Sequence, residues 1–210
     1  MINILMVDDH LIVREGIKRI INDIPDMNIT AEASNGIEAM ELVSKYIYDI
    51  ILLDISMPIL NGLQTLKLIK KHDHKLSVLM LSMHSEEQYA MRSIKAGASG
   101  YMTKEIAAQE LVSAIRKIND GRKYISKEVA ELLATDLYHE DEKDPHENLS
   151  DREFEILKMI ATGMTTKSIA MELLISPKTV STYRTRILDK LSMRNNSDII
   201  HYVIDYNLTD

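Results

Sequence analysis

The chain has no cysteine among its 210 residues, which excludes disulfide scaffolds, thiolate metal sites and cysteine nucleophiles. It also lacks any apolar run near the ~18 residues of a membrane span, so no membrane association is expected. The opening MINILMVDDH has no basic region ahead of its short apolar run, Ile4 to Val7, so it does not read as a signal peptide and the cytoplasm is the expected compartment. A net positive charge is missing too. The balance of −7 argues against a nucleic-acid binder until it is divided along the chain. Residues 1–135 carry 18 acids and 16 bases, residues 136–148 carry 6 and 1, and residues 149–210 carry 8 and 8. The deficit sits mostly in DLYHEDEKDPHEN, Asp136 to Asn148, where like charges, a proline and few apolar side chains describe a solvated linker. Its histidines, His139 and His146, stand among carboxylates, but a solvated segment does not hold ligands in place for a metal. The expected organisation is one domain over 1–120, a linker helix and acidic linker over 121–148, and a second domain over 149–210.

In the first domain, strand-length apolar runs alternate with helix-period stretches. Ile4–Val7, Asn28–Ala33, Ile50–Leu53, Val78–Leu81 and Tyr101–Met102 read as strands, the inner ones too uniformly apolar to have a wet face. Between them, Val13, Ile17, Ile20 and Ile24, then Leu63, Leu66 and Ile69, then Leu111, Ala114, Ile115 and Ile118 recur at helical spacing. Five repeats of strand and helix predict an α/β fold: a five-stranded parallel, doubly wound sheet covered on both faces. Ligands of such sheets bind outside the carboxyl ends of the strands, where the strand order reverses.

Asp8 and Asp9 follow the first strand, Asp54 the third, Ser82 the fourth and Lys104 the fifth. Three carboxylates on one edge repel unless a cation joins them, and a hard, oxygen-preferring ion such as Mg²⁺ suits them. The lysine and the hydroxyl supply positive charge and a donor for a phosphoryl group, leaving one carboxylate as nucleophile. Taken singly, each residue has a plainer reading: Asp8 or Asp9 as a helix cap, Ser82 as a loop hydroxyl, Lys104 as a solvated charge, Tyr101 as a strand aromatic.

VDDH (7–10), LLDISMPILNG (52–62), LSMHS (81–85) and AGASGYMTKE (96–105) resemble, in order and interval, the flavodoxin-like receiver domain of two-component response regulators. The resemblance implies that Asp54 accepts a phosphoryl group from a sensor histidine kinase or phosphotransfer protein. It implies Mg²⁺ held by Asp9 directly, by Asp8 through water, by Asp54 and by the backbone carbonyl of Ser56. Ser82 and Lys104 would contact the phosphoryl oxygens, and Tyr101 would be the aromatic that changes rotamer. The pattern departs from the commonest one in three places: Ser82 stands where threonine is frequent, Glu105 follows Lys104 where many receivers have proline, and Met83 and His84 follow Ser82 at positions that line the approach to the phosphate.

From Leu149 the period is helical. Ser150 with Glu153 makes a capping box and Leu149 with Phe154 a hydrophobic staple, so a helix is expected from Asp151 and ends at Gly163. A second is expected over about Thr166 to Leu173, and a third, capped by Ser176 and opened by Pro177, to about Leu191. Asn196 or its neighbour caps a fourth reaching about Asp205. On the third helix Val180, Ile187, Leu188 and Leu191 form one stripe, with Lys178, Ser181, Thr182, Thr185 and Arg186 opposite. A basic, hydroxylic face suits the major groove of double-stranded DNA, although a solvated helix face has the same pattern. Lys178, Arg184, Arg186, Lys190 and Arg194 against Asp189 give residues 177–194 a net +4 that can meet phosphates, with Lys190 counted among the DNA contacts and Arg184 near enough to the apolar stripe for a structural role.

The stretch LSDREFEIL…ATGMTTKSIAMELLISPKTVSTYRTRILDKLSMRNNSDII is similar to the LuxR-type helix-turn-helix of the NarL/FixJ response regulators, and SPKTVSTYRTRILDKL most resembles their GacA-like branch. An all-α, four-helix DNA-binding domain is implied, and a transcription regulator rather than an enzyme. Ile199, Ile200 and Val203 on the last helix serve equally as a domain core or as a dimer contact, and the resemblance favours a homodimer on DNA. A Mg²⁺-dependent phosphohydrolase is the competing reading; it requires a second acid two residues after the nucleophile, where Ser56 stands. Partner choice is expected on the first helix, around Arg14, Ile17, Lys18 and Ile21.

Overall fold

A computed structural model describes residues 1–83, 87–104, 108–126, 129–131, 133–134, 144–206 and 208. The chain divides into two compact units, Met1–Leu132 and Leu133–Asp210. The first alternates β1 (Ile2–Val7), α1 (Leu11–Asn22), β2 (Met27–Ala33), α2 (Gly36–Lys45), β3 (Ile50–Asp54), α3 (Gly62–His72), β4 (Ser77–Ser82), α4 (Glu87–Lys95), β5 (Gly100–Thr103) and α5 (Ala108–Asn119). All strand pairs are parallel, in the order β2-β1-β3-β4-β5. The order reverses at β1 and β3, so a crevice opens beyond Val7 and Asp54. Every residue of β3 is buried, as a strand covered on both faces requires. One face packs Ile4, Met6, Ile50, Leu52 and Leu79 against Ile21 of α1 and Leu111, Ala114, Ile115 and Ile118 of α5.

The strands begin and end within two residues of the spans expected from the period. After α5 the chain returns to the sheet edge: Tyr124 bridges to Gly100, donating its N–H to Ser99 O (2.9 Å) and accepting from Tyr101 N (3.3 Å). A Cβ at position 100 would stand 2.7 Å from Tyr124 O, so glycine admits the close approach of that backbone there. Residues 129–131 and 133–134 are helical.

The second unit contains a 3₁₀ helix, Pro145–Asn148, then α6 (Asp151–Ala161), α7 (Thr166–Glu172), α8 (Pro177–Lys190) and α9 (Asn196–Asp205). The capping box is formed, with Ser150 Oγ accepting from Glu153 N and Glu153 Oε2 accepting from Ser150 N at 2.8 Å. Ser176 caps α8 and Asn195, the neighbour of Asn196, caps α9. Phe154, Ile156, Leu157, Ile169, Val180, Ile187, Ile199 and Val203 fill the core.

One expectation is corrected here. Residues 145–148 belong to the folded unit rather than to a solvated linker: His146 is 2% exposed, its Nδ1 lies 3.0 Å from the Tyr202 hydroxyl, and its ring packs beside Phe154 and Tyr206. His139 lies outside the described residues.

Candidate functional site

The local fold brings the expected acidic residues together. Asp54 ends β3 and Ser82 ends β4, while Asp8 and Lys104 stand one residue beyond β1 and β5. Lys104 Nζ sits 2.7 Å from Asp8 Oδ2 and 2.9 Å from Asp54 Oδ1, with the lysine side chain 4% exposed. Ser82 and Tyr101 are buried, and Ser82 O accepts from Lys104 N at 2.6 Å, which ties the ends of β4 and β5. Asp9 is half-buried at the rim. The loop after Asp54 folds back, so that Gly62 N donates to Ile55 O and a Cβ at Gly62 would fall 2.0 Å from Asp54 O. Glycine is obligatory at that approach. Ser56 lies in this loop with its side chain exposed.

The helix-cap alternative for the two acids fails. His10 occupies the cap position of α1 and its side chain makes no capping bond, whereas Asp8 Oδ1 accepts from His10 N at 2.8 Å. His10 Nδ1 stands 2.8 Å from Asp9 Oδ1, a neighbour that period and spacing did not single out. Arg14 was also missed as part of the site: its guanidinium donates to the Asp8 carbonyl.

Burial pushes the Asp54 carboxyl up to about 7, with Asp8 and Asp9 adding to the rise and Lys104 opposing it. One ammonium therefore does not neutralise three acids. Asp54 Oδ2 is buried without a hydrogen-bond partner among the described residues, and oxygen or nitrogen atoms of Asp8, Asp9, His10 and Asp54 lie within 4.8 Å of one another. A hard divalent cation fits this donor set. Met83 is exposed at the rim, while His84 and Glu105 lie outside the described residues.

In the second unit, Lys178, Ser181, Thr182, Thr185 and Arg186 share the exposed side of α8, and Val180, Ile187 and Leu188 are buried on the other. The three hydroxyls donate to carbonyls one turn back, Ser181 to Pro177, Thr182 to Lys178 and Thr185 to Ser181, at 3.0–3.1 Å. Their lone pairs and the threonine methyls stay available to a ligand. Lys190 does not join this face. Its Nζ lies 2.7 Å from Glu153 Oε2 and donates to Asn148 O at 3.1 Å, so its charge is paired within the domain while its side chain stays 40% exposed. Arg184 donates to Asn196 Oδ1 at 2.6 Å, which supports the structural role. On α1, Ile21 is in the core and Arg14 is 15% exposed, whereas Ile17 and Lys18 are partly exposed and Leu11, Ile12, Glu15 and Arg19 are exposed.

Among the described residues no helix is long and apolar enough to cross a membrane. Two family descriptions match the chain: a response regulator receiver domain over residues 4–116, and the luxR family of bacterial regulatory proteins over residues 147–203. Response regulator UvrY of Escherichia coli (strain K12) is 37% identical over 209 residues, which span 99% of this chain and 96% of UvrY. Response regulator GacA of Pseudomonas aeruginosa is 35% identical over 211 residues, covering 100% of this chain and 99% of GacA. Among solved structures, the RcsB response regulator of Salmonella typhimurium aligns over 97% of each chain with a TM-score of 0.69 and 25% identity. An RcsB–DNA complex aligns over 96% of this chain and 97% of RcsB, with a TM-score of 0.60 and 26% identity. The chain belongs to the NarL/FixJ family of two-component response regulators, transcription regulators and not enzymes, with a receiver domain followed by a LuxR-type DNA-binding domain.

Proposed function

We propose that a histidine of a sensor kinase or phosphotransfer protein passes its phosphoryl group to Asp54, and that the phosphorylated chain regulates transcription in the cytoplasm as a homodimer on double-stranded DNA. The observation that carries this reading is the ammonium of Lys104 shared between Asp8 and Asp54 in a buried cluster of like charges. In the transfer, a carboxylate oxygen of Asp54 attacks phosphorus, the phosphorus–nitrogen bond breaks, and the histidine nitrogen leaves with the bonding pair, the other ring nitrogen of the phosphohistidine carrying the proton that keeps the leaving imidazole neutral. Acyl phosphate and free imidazole are the products. Lys104 then exchanges its Asp54 contact for a phosphoryl oxygen, Ser82 supplies a hydroxyl donor, and Tyr101 repacks behind it.

Asp9, Asp54, the carbonyl of Ser56 and, through water, Asp8 would hold Mg²⁺, which when bound offsets the charge of the carboxylates and the phosphoryl oxygens. Residues 1–120 carry the switch, the segment from 121 to 144 connects, and the unit that opens with the 3₁₀ helix Pro145–Asn148 binds DNA. Lys178 and Arg186 meet phosphates, and Ser181, Thr182 and Thr185 face base edges. The dimer contact lies at α9, with Ile199 and Val203 in the core role rather than at the contact. Ile199 and Val203 are wholly buried in their own domain, and Ile200 is half-buried. Ile204, 63% exposed, and Tyr206, 40% exposed, offer the apolar surface instead.

The test is footprinting on genomic fragments with and without acetyl phosphate and Mg²⁺. Protected, roughly palindromic sites that depend on the phosphodonor are expected. Identical protection in both arms would exclude phosphorylation control.

A further inference from the structure

The loop that presents Asp8 and Asp9 is clamped from its outer side. Asp8 N donates to Ala33 O of β2 at 3.1 Å, and the carbonyl of the same residue accepts from Arg14 Nη1. Arg14 Nε lies 3.4 Å from Glu32 Oε2, and Lys18 Nζ pairs with the other oxygen of Glu32. The guanidinium therefore spans from a strand of the sheet to the peptide that joins the two aspartates. Both cations hold the Glu32 carboxyl below the usual carboxylate range, Lys18 more strongly, against the opposing effect of burial.

We infer that Arg14 is a positioning residue for the metal-binding acids, acting by fixing the Asp8–Asp9 peptide plane. This rests on the assignment of Asp8 and Asp9 to Mg²⁺ made above. A peptide unit is planar, so the direction of the Asp8 carbonyl sets the orientation of the Asp9 N–H and the start of the Asp9 side chain. Asp9 is at the rim, and among the described residues only the neighbouring His10 imidazole stands against its carboxylate. With the plane free to rotate, the two carboxylates repel and separate, and that separation must be reversed each time a cation binds. The planar, forked guanidinium can reach a carbonyl and a carboxylate together, which a lysine ammonium at the same position cannot do with the same geometry. Arg14 reaches the Asp8 carbonyl and Glu32, whereas Lys104 contacts the carboxylates of Asp8 and Asp54, so the clamp does not compete for the acids as Lys104 does.

The experiment measures Mg²⁺ affinity on the full-length protein from amide chemical-shift changes during titration with Mg²⁺ alone. Arg14→Met keeps length and apolar volume and removes the fork. Loss of an outer-sphere partner costs metal affinity roughly 10–100-fold, and a Kd at least 10-fold weaker is expected. Glu32→Gln should fall between this variant and wild type, and Arg14→Lys should recover only part of the loss. Phosphorylation by acetyl phosphate, which needs no kinase contact with α1, should be slow at low Mg²⁺ and return to the wild-type rate at saturating Mg²⁺. A merely structural role would lower the unfolding midpoint without this Mg²⁺-dependent recovery, and that result overturns the inference. So does an Arg14→Met or Glu32→Gln protein with the wild-type Kd. If Asp9→Asn loses Mg²⁺ binding in the same assay, the metal site itself stands and the clamp alone has failed. If Asp9→Asn binds Mg²⁺ as wild type does, the site assignment and the clamp fall together.

Discussion

The polar groups at the edge of the receiver sheet touch one another out of water, whereas those on the exposed side of α8 touch water and their own helix. Asp8, Asp54 and Lys104 are buried within ion-pairing distance, so a change in charge at any one alters the balance of the others. Ser181, Thr182, Thr185 and Arg186 are solvated, and no change at one forces a change at the next. Burial makes a switch, because stored repulsion can be redistributed. Exposure makes a reader, because its groups wait for a partner at little cost in desolvation. The two regions should accordingly respond to substitution in different currencies: the first in the free-energy difference between two states, the second in affinity for one ligand.

The largest effect is expected at the centre of the buried cluster. Asp54→Asn keeps the shape of the side chain and removes the nucleophile, so acetyl phosphate with Mg²⁺ should add one phosphoryl group to wild type by intact mass and none to the variant. Equal labelling of Asp54→Asn would move the acceptor elsewhere.

Next comes the coupling of the two regions. In Lys104→Ala, phosphorylation should remain measurable while its effect on operator affinity is lost. The contact of the lysine with the phosphoryl group exists in one state alone, and only such differential terms shift a population. Coupling of this kind is typically ~1–3 kcal/mol. A phosphorylated Lys104→Ala protein with full operator affinity would contradict it.

Expectations from period and spacing held where a residue's place depends on its near neighbours and missed where it depends on distant ones. The strand runs put Asp54, Ser82 and Lys104 on one edge because a parallel α/β unit leaves little choice about which end of each strand faces the crevice. Ser150 and Glu153 are three residues apart, and their box was readable as letters. His146, by contrast, sits in an acidic run and packs against Tyr202, 56 residues away, and Tyr206 beyond it. Lys190 reads as one more base on a positive helix, yet Glu153, 37 residues earlier, takes its charge. Arg14 looked like a surface residue of α1 because nothing in the helical period reveals that Glu32 on β2 stands opposite. In each case the local company of a polar side chain gave it an outward role, and a contact distant in sequence gave it a partner within the protein.

On the DNA-facing side, Thr182→Ala or Thr185→Ala should cost ~1–3 kcal/mol on the operator and little on random sequence, since each removes one acceptor and one methyl from a base edge. Their hydroxyl hydrogens are already committed to Lys178 O and Ser181 O, so the predicted discrimination comes from accepting a hydrogen bond or from contact with a thymine methyl. Equal losses on both DNAs would show that this face does not read bases.

A smaller effect tests the buried side without any ligand. The native Asp54 carboxyl titrates near 7 against an ordinary value of 3.8, so between those values the native state holds a proton that the unfolded state has released. Stability from this group is therefore fully present below pH 3.8 and is lost as pH rises through 7. Between pH 6 and 8 in EDTA, denaturant unfolding of wild type should lose ~1.4 kcal/mol more than that of Asp54→Asn, which cannot ionise. Parallel pH slopes for the two proteins would mean that the carboxylate is not desolvated as its burial indicates.

The smallest effect separates two bases on the same helix. Arg186 is exposed on the hydroxylic face of α8, with its guanidinium 6.0 Å from the ring centre of Tyr183, while Lys190 is turned back to Glu153 and the carbonyl of Asn148. A side chain that neutralises one phosphate releases about one condensed counterion, so Arg186→Ala should weaken binding to operator and random DNA by similar factors and flatten the logarithmic salt dependence by ~1. Lys190→Gln should leave that slope unchanged, because its charge is already paired with Glu153 in the protein. It should instead lower the unfolding midpoint, since the carboxylate of Glu153, 3% exposed, keeps its bonds from Ser150 but loses its cation. Both variants, measured on both DNAs from 50 to 200 mM salt as a rough working range, decide whether the ion pair survives on DNA. A slope flattened equally by Lys190→Gln would mean that Lys190 leaves Glu153 when phosphates approach, and would count it among the DNA contacts.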